Sequence, residues 1–327
     1  MSDIRLGILG PGRIVERVMR DYHNMRGVTL TAVASRSIER AKEATKRYGA
    51  KHAFGSYDEL AKCDEVDLVY LATPHNFHCE QAILLMNHGK HVLCEKSMAI
   101  NDAQTRRMTE CALKNRVFLM EAMWTRFFPA SRKLRELVKK GAIGNVTHVF
   151  ADFAATGSYD PTSRAFDPAL AGGSILDLGI YPMMAATDLL GYEPDAVQGL
   201  AHLAPSGVDM RASIQMQYPS GATVQILSAF DAMGESREVI YGDAGRIVVP
   251  DFWHPTSFTL TAAGGKPTVY HFRDEAEGHH YEFIHAADCI REGRMESPEM
   301  SWAESIAVSK IFTDLRKSWG FLYPGES

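Results

Sequence analysis

Ile4-Arg5-Leu6-Gly7-Ile8-Leu9-Gly10-Pro11-Gly12-Arg13-Ile14-Val15 is the stretch from which the fold is read. An apolar run long enough for one strand, Ile4–Leu9, passes directly into two glycines, and residues 14–25 read as a helix. Gly10 permits a tight turn. Gly12, lacking a Cβ, lets the backbone approach a pyrophosphate held at the positive end of the following helix. Arg13 and Ile14 open that helix and complete the expected cradle. Val15 stands where a third small residue is usual, so helix and strand are expected to pack less closely there. A glycine pair alone is weak evidence; a strand before it and a helix after it supply the context the motif needs.

The same alternation continues outward. Strands are expected at 28–34, 68–72, 92–94 and 118–120. The intervening helices carry their own punctuation: Ser37 before one that ends at Gly49, a Ser56/Glu59 capping box, and Asn101 as a cap. Strands apolar on both faces and separated by helices imply a parallel sheet covered on both sides. After Glu121 the pattern changes. A helix over 129–140, a long strand over 146–154, a polar loop over 157–173 and a helix over 175–190 precede strands joined by turn sequences such as Pro219-Ser220-Gly221. Two helices, 281–292 and 302–319, close the chain. The expectation is an α/β Rossmann domain with a doubly wound parallel sheet (1–122), then an α+β domain with a mainly antiparallel open sheet (123–327).

Composition bounds the function. The 327 residues are 46% hydrophobic and 23% charged, with a net charge of −5. That balance fits a globular protein and disfavours nucleic acid or an anionic membrane surface as partners. No uncharged apolar stretch reaches 18 residues, and no basic-then-apolar leader opens the chain. The five cysteines (63, 79, 94, 111 and 289) are scattered, which indicates reduced thiols in a cytoplasmic protein and no metal site.

Several residues carry chemistry. The second strand ends in Ser35-Arg36, where an NAD-preferring domain would place an acidic residue for the ribose. Ser35, Arg36 and Arg40 suit a 2′-phosphate instead, so NADP is the expected cofactor, with NAD as the alternative. Thr73, Pro74 and Asn76 follow the fourth strand on the cofactor side. His75 is a further candidate there, while His78 reads more simply as a helix-start residue bonded locally. Glu95-Lys96 follows the fifth strand, where ligands of open α/β sheets bind; a lysine there can polarise a substrate hydroxyl. Asp177 and Tyr181 are four residues apart on a helix and so share a face, able together to hold a diol and relay a proton. His279 and His280 read equally as substrate contacts or as a solvated loop.

In this order, the glycine turn, Thr73-Pro74, Glu95-Lys96, the segment Glu121-Ala122-Met123-Trp124-Thr125-Arg126-Phe127-Phe128-Pro129 and Gly172-Gly173 followed by Asp177 and Tyr181 resemble the Gfo/Idh/MocA oxidoreductase family over nearly the whole chain. Tyr181, where the family often has His, is similar to the dihydrodiol and D-xylose dehydrogenase branch. The resemblance implies Lys96 as the central catalytic residue, Tyr181 as general acid/base and Asp177 as the group orienting the substrate. It places Glu95, Lys96, Trp124 and Arg126 beside the cofactor, and leaves Phe153 and Trp253 as candidates for an apolar substrate wall. It implies a homodimer through the second sheet and a small sugar, polyol or dihydrodiol substrate. A redox-neutral, NAD-assisted glycosidase and a noncatalytic NADP(H) sensor are the competing classes. One departure stands out: the family reads Glu-Lys-Pro, and Ser97 replaces the proline. A cis bond before a non-proline residue costs about 2.5–4 kcal/mol, so Ser97 is expected to release the constraint beside Lys96.

Overall fold

The computed structural model describes residues 2–272 and 277–326, and the chain divides into two compact units. Residues 2–124 and 277–306 form the first; residues 125–272 and 307–326 form the second. The single boundary expected after residue 122 is thus corrected. The chain re-enters the first unit through α8 (His280–Arg291) and passes into the second within α9 (Trp302–Ser318). Burial explains the return. Phe283, Ala286 and Ala287 form a fully buried stripe on α8, and Phe283 meets Tyr70 edge-on at 5.0 Å. Apolar helical spacing says that a helix needs a core, not which core it joins.

The first unit is built on six parallel strands: β1 (Ile4–Leu9), β2 (Val28–Ala34), β3 (His52–Phe54), β4 (Leu68–Leu71), β5 (His91–Glu95) and β6 (Leu119–Ala122). Their order is β3-β2-β1-β4-β5-β6. The order reverses between β1 and β4, and ligands of such sheets bind at the carboxyl ends of the strands beside that reversal. β3 is too short and too half-buried to be read from sequence. Helices α1 (Arg13–Val18), α2 (Ile38–Tyr48), α3 (Tyr57–Ala61), α4 (His75–Asn87) and α5 (Asp102–Asn115) connect the strands. The caps behave as read: Ser37, Ser56 and Asn101 each accept a backbone N–H, and Glu59 completes the capping box. α1 is shorter than expected and continues as a 3₁₀ helix over Met19–Asn24, and Val15 on it is fully buried.

In the second unit, α6 (Pro129–Lys139) precedes β7 (Val146–Ala154), and α7 (Ile180–Leu190) precedes seven further strands. These are β8 (Ala196–Leu203), β9 (Asp209–Gln217), β10 (Thr223–Ala229), β11 (Glu238–Gly242), β12 (Gly245–Val249), β13 (Ser257–Ala262) and β14 (Thr268–His271). They order as β14-β13-β12-β11-β7-β10-β9-β8, antiparallel throughout except where β7 meets β10. β8 escapes a sequence reading because Gln198, Leu200 and His202 all lie on its exposed side. One segment, 168–190, has the length and hydropathy of a bilayer crossing, but 67% of its apolar window is buried inside the protein. Its hydropathy is that of a core helix.

Candidate active site

The nucleotide-binding candidates lie in the first unit, at the carboxyl ends of β1 and β4. Gly10 has φ +88°, and a Cβ there would lie 2.8 Å from Thr73 Cγ2, so the turn after β1 and the start of the β4 crossover are in contact. A Cβ on Gly12 would meet only Gly10 O, at 3.9 Å. The backbone is therefore open at the position where a pyrophosphate would approach. No side chain caps α1. Arg13 and Ile14 begin this helix, Arg13 exposed and Ile14 half-buried. Ser35 is buried at the end of β2 and accepts Ser37 N–H at 3.3 Å. Arg36 and Arg40 are exposed, and both lie close enough to Tyr57 for their charges to act on its hydroxyl. Arg40 also reaches Pro11 O at 3.5 Å, which brings the proposed phosphate cations to the glycine turn. Pro74 caps α4. Asn76 Oδ1 is buried without a hydrogen-bond partner among the described residues. A buried acceptor left without a partner at the start of α4 fits a residue that a bound dinucleotide would satisfy.

Lys96 leaves the end of β5 half-buried, and its backbone is fixed from three directions. His75 Nε2 lies 3.0 Å from Lys96 O, and His78 Nδ1 lies 3.0 Å from Ser97 O. His78 Nε2 also faces Thr73 O at 2.7 Å. A neutral imidazole can donate to one of these two carbonyls and an imidazolium to both. Glu121 on β6 accepts Met98 N–H at 2.9 Å and the Ser305 hydroxyl at 2.6 Å, while Tyr70 donates to Glu95. The expectation that Ser97 releases the backbone is overturned: the Lys96–Ser97 peptide bond is cis. The reading of His78 as bonded only locally was too narrow, because its second partner is 19 residues away.

Two expected contacts change character. Trp124 is buried and stacks on His279 at 3.9 Å, with the Arg17 guanidinium 5.8 Å from the Trp124 ring. The solvated-loop alternative for His279 and His280 is thereby corrected, since both are buried; His279 N–H and His280 Nδ1 both face Asp21. Beside them Glu282 is fully buried, and burial, then the charge of Glu95, push its carboxyl well above the usual range. Arg126 was expected beside the cofactor. Its guanidinium is buried in the second unit, 3.7 Å from Asp188 and donating to Met184 O at 3.2 Å. A buried guanidinium requires such partners, and its charge is committed to them.

The substrate-binding candidates lie in the second unit. Ile175–Gly179 forms a π-helical turn ahead of α7, so Asp177 and Tyr181 belong to different helical geometries but remain about one turn apart. Asp177 Oδ1 faces Arg164 Nη2 at 3.4 Å. Arg164 was not foreseen; it sits on a 3₁₀ turn of the loop, where sequence spacing carries no signal. The Tyr181 ring meets Phe153 edge-on at 5.2 Å, and Phe153 stacks on Trp253 at 5.6 Å. Both wall candidates are partly exposed, and the structure brings them together with Tyr181.

Known proteins place this geometry. Residues 4–123 match the oxidoreductase family with an NAD-binding Rossmann fold, Gfo/Idh/MocA, and residues 131–248 match that family's C-terminal domain. The chain belongs to this family. It is 34% identical to trans-1,2-dihydrobenzene-1,2-diol dehydrogenase of Xenopus laevis over 97% of this chain and 98% of the relative. It is 35% identical to scyllo-inositol 2-dehydrogenase (NADP(+)) of Bacillus subtilis (strain 168) over 99% of each. The crystal structure of aldose-aldose oxidoreductase from Caulobacter crescentus, complexed with glycerol, superposes with a TM-score of 0.88 at 26% identity, covering 97% of this chain and 98% of that one. The parallel six-stranded sheet and the mainly antiparallel sheet are thus those of a nicotinamide-dependent oxidoreductase.

Proposed function

We propose that this protein is an NADP-dependent dehydrogenase of a secondary alcohol on a ring-shaped substrate: a sugar, a polyol such as an inositol, or a trans-dihydrodiol. The observation that carries the reading is the second unit's grouping of Tyr181 against the Phe153–Trp253 stack with Asp177 one turn away. It offers an apolar wall for a ring face next to a carboxylate that accepts hydroxyl protons. The named dihydrodiol and inositol relatives act on such rings.

Gly10, Gly12, Arg13 and Ile14 would receive the pyrophosphate; Ser35, Arg36 and Arg40 the 2′-phosphate; Thr73, Pro74, Asn76, Glu95 and Lys96 the remainder of the dinucleotide. When bound, the nicotinamide supplies the hydride acceptor. Lys96 polarises the substrate hydroxyl through its ammonium group. The Tyr181 phenolate oxygen takes the hydroxyl proton as the carbinol C–H bond breaks. Asp177, with Arg164, orients the adjacent hydroxyl. Tyr is a weak base at its ordinary pKa near 10, so an ammonium partner is needed for it to act near neutrality.

An NADP⁺-reduction screen over pentoses, hexoses, inositols and trans-dihydrodiols tests this reading. Lys96→Ala and Tyr181→Phe are expected to lower kcat on the best substrate by about 10²–10⁴-fold, the usual worth of a proton-transfer group. Full activity in Lys96→Ala would sink the mechanism.

The reading extends to assembly and place. Ile214, Ile226, Val149 and Ile240 cover the buried face of the second sheet, whereas Leu200 (82% exposed) and Tyr241 (40%) project from the opposite one. An open sheet face with exposed apolar side chains favours a homodimer through that face, which sedimentation equilibrium would detect. Five free cysteines suit a reducing cytoplasm, testable by cell fractionation.

A further inference from the structure

We propose that Asp209 is a positioning residue for the Asp177–Tyr181 element, and that with the C-terminal tail it clamps the bend from Gly172 to Ile175. The inference rests on the roles given above to Asp177 and Tyr181. Asp209 opens β9 and is fully buried. Its Oδ2 accepts the Ser174 hydroxyl at 2.7 Å and Ile175 N–H at 2.7 Å. One carboxylate oxygen therefore terminates both the side chain and the backbone donor that open the π-helical turn. From β10, the Ser228 hydroxyl donates to Ser174 O at 2.9 Å. From the tail, the Tyr323 hydroxyl donates to Gly172 O at 2.6 Å.

The tail is itself secured. Arg316, fully buried on α9, pairs with Glu326 at 2.7 Å and sets its guanidinium 4.4 Å from the Tyr323 ring. Glu326 also accepts Tyr323 N–H at 2.8 Å. Gly173 adopts φ +119°, and a Cβ there would lie 2.2 Å from Asp209 Oδ1. Residues 172–175, immediately ahead of Asp177, are thus each met by β9, β10 or the tail. Burial pushes the Asp209 carboxyl up to about 6 against the Ser174 and Ile175 hydrogen bonds. In the ionised form of Asp209 both bonds are charge-assisted. The charged and titratable groups acting on Asp209 and Tyr323 are Arg316, Glu326 and Asp177.

A buried aspartate can serve stability alone. The distinguishing feature is its location: the segment it holds leads into the two proposed substrate-binding side chains. Small misplacements of such groups cost as much as 10²-fold in rate, roughly, without weakening cofactor binding.

The test compares Asp209→Ala, Asp209→Asn and Tyr181→Phe by steady-state kinetics on the best alcohol, with NADP⁺ binding followed by fluorescence and folding by thermal melt. Asp209→Ala is expected to lose on the order of 10²-fold in kcat while its NADP⁺ Kd stays within about twofold. Asp209→Asn, which keeps an oxygen acceptor for Ile175 N–H, should recover about tenfold of that loss. The proposal is overturned if folded Asp209→Ala keeps kcat within about threefold, or if asparagine rescues nothing. Should Asp209→Ala not fold, Tyr323→Phe, which removes only the bond to Gly172, decides: a several-fold fall in kcat at unchanged NADP⁺ Kd supports the clamp, and unchanged kcat overturns it. Full turnover in Tyr181→Phe would overturn the underlying site reading; impaired Tyr181→Phe with unimpaired Asp209→Ala would overturn the clamp alone.

Discussion

Arg36, two residues past the end of β2, and Arg40, in the first turn of α2, converge on Tyr57, close enough for both charges to act on its hydroxyl. That convergence favours a 2′-phosphate over a bare ribose. Replacing Arg36 by Asp removes a charge-assisted partner worth about 1.5–3 kcal/mol and adds an acceptor for ribose hydroxyls. Arg36→Asp should therefore lower kcat/KM for NADP⁺ by about 10–100-fold and raise it for NAD⁺; an unchanged ratio would remove Arg36 from the site. Ser35 and Arg36 stand out in the sequence as candidates because they directly follow a strand end. The pairing of Arg126 with Asp188 was not legible: its sequence neighbourhood is distinctive, but Asp188 lies far along the chain, and only the folded core shows the contact. Arg164 was missed likewise, since its relation to Asp177 depends on the course of an irregular loop.

Elements whose ends are chemically marked were read well, and those shaped by tertiary contact were not. Ser37, Ser56 with Glu59, and Asn101 cap where expected, because a cap is a local hydrogen bond. The π-helical turn beneath Asp177 has no such local cause; its N–H groups and carbonyls answer to Asp209 and Ser228 on other strands. The glycine turn gives a sharper element-scale prediction. Gly10→Ala forces φ +88° on a residue with a Cβ and presses it to 2.8 Å from Thr73 Cγ2. The conformation alone costs roughly 1–2 kcal/mol, so the melting temperature should fall along with NADP⁺ affinity. Gly12→Ala meets only Gly10 O at 3.9 Å, and should weaken NADP⁺ binding while leaving the melt nearly unchanged. Equal effects of both variants on stability, or none on binding, would contradict the proposed cradle.

At the scale of the whole chain, strand–helix alternation in the first part and strands joined by turn sequences in the second were enough to give two sheets of different kinds. The return of residues 277–306 to the first unit was not legible, because the buried stripe of α8 fits the core of either fold class. Nor could the sequence show that the second unit encloses an acidic group with little compensation. Glu238 on β11 is 5% exposed, and its Oε1 has no hydrogen-bond partner among the described residues. Burial, then the charge of Asp188, push its carboxyl from 4.5 to about 8. Asp188 itself is already shared by Arg126 and Arg135. A folded-state pKa above the unfolded one means that folding favours the protonated acid. The contribution to stability is therefore full below about pH 4.5, declines as the pH rises, and is gone above about pH 8. Its ceiling, on the order of 5 kcal/mol, follows from the span between the two values. Glu238→Gln keeps the shape and removes the titration, so its melting temperature should vary less between pH 5 and pH 8 than that of the unmodified protein. If the two proteins lose stability in parallel over that interval, the carboxyl is ionised in the folded state, and the acid sheltered beside Asp188 is not what weakens the second unit in alkali.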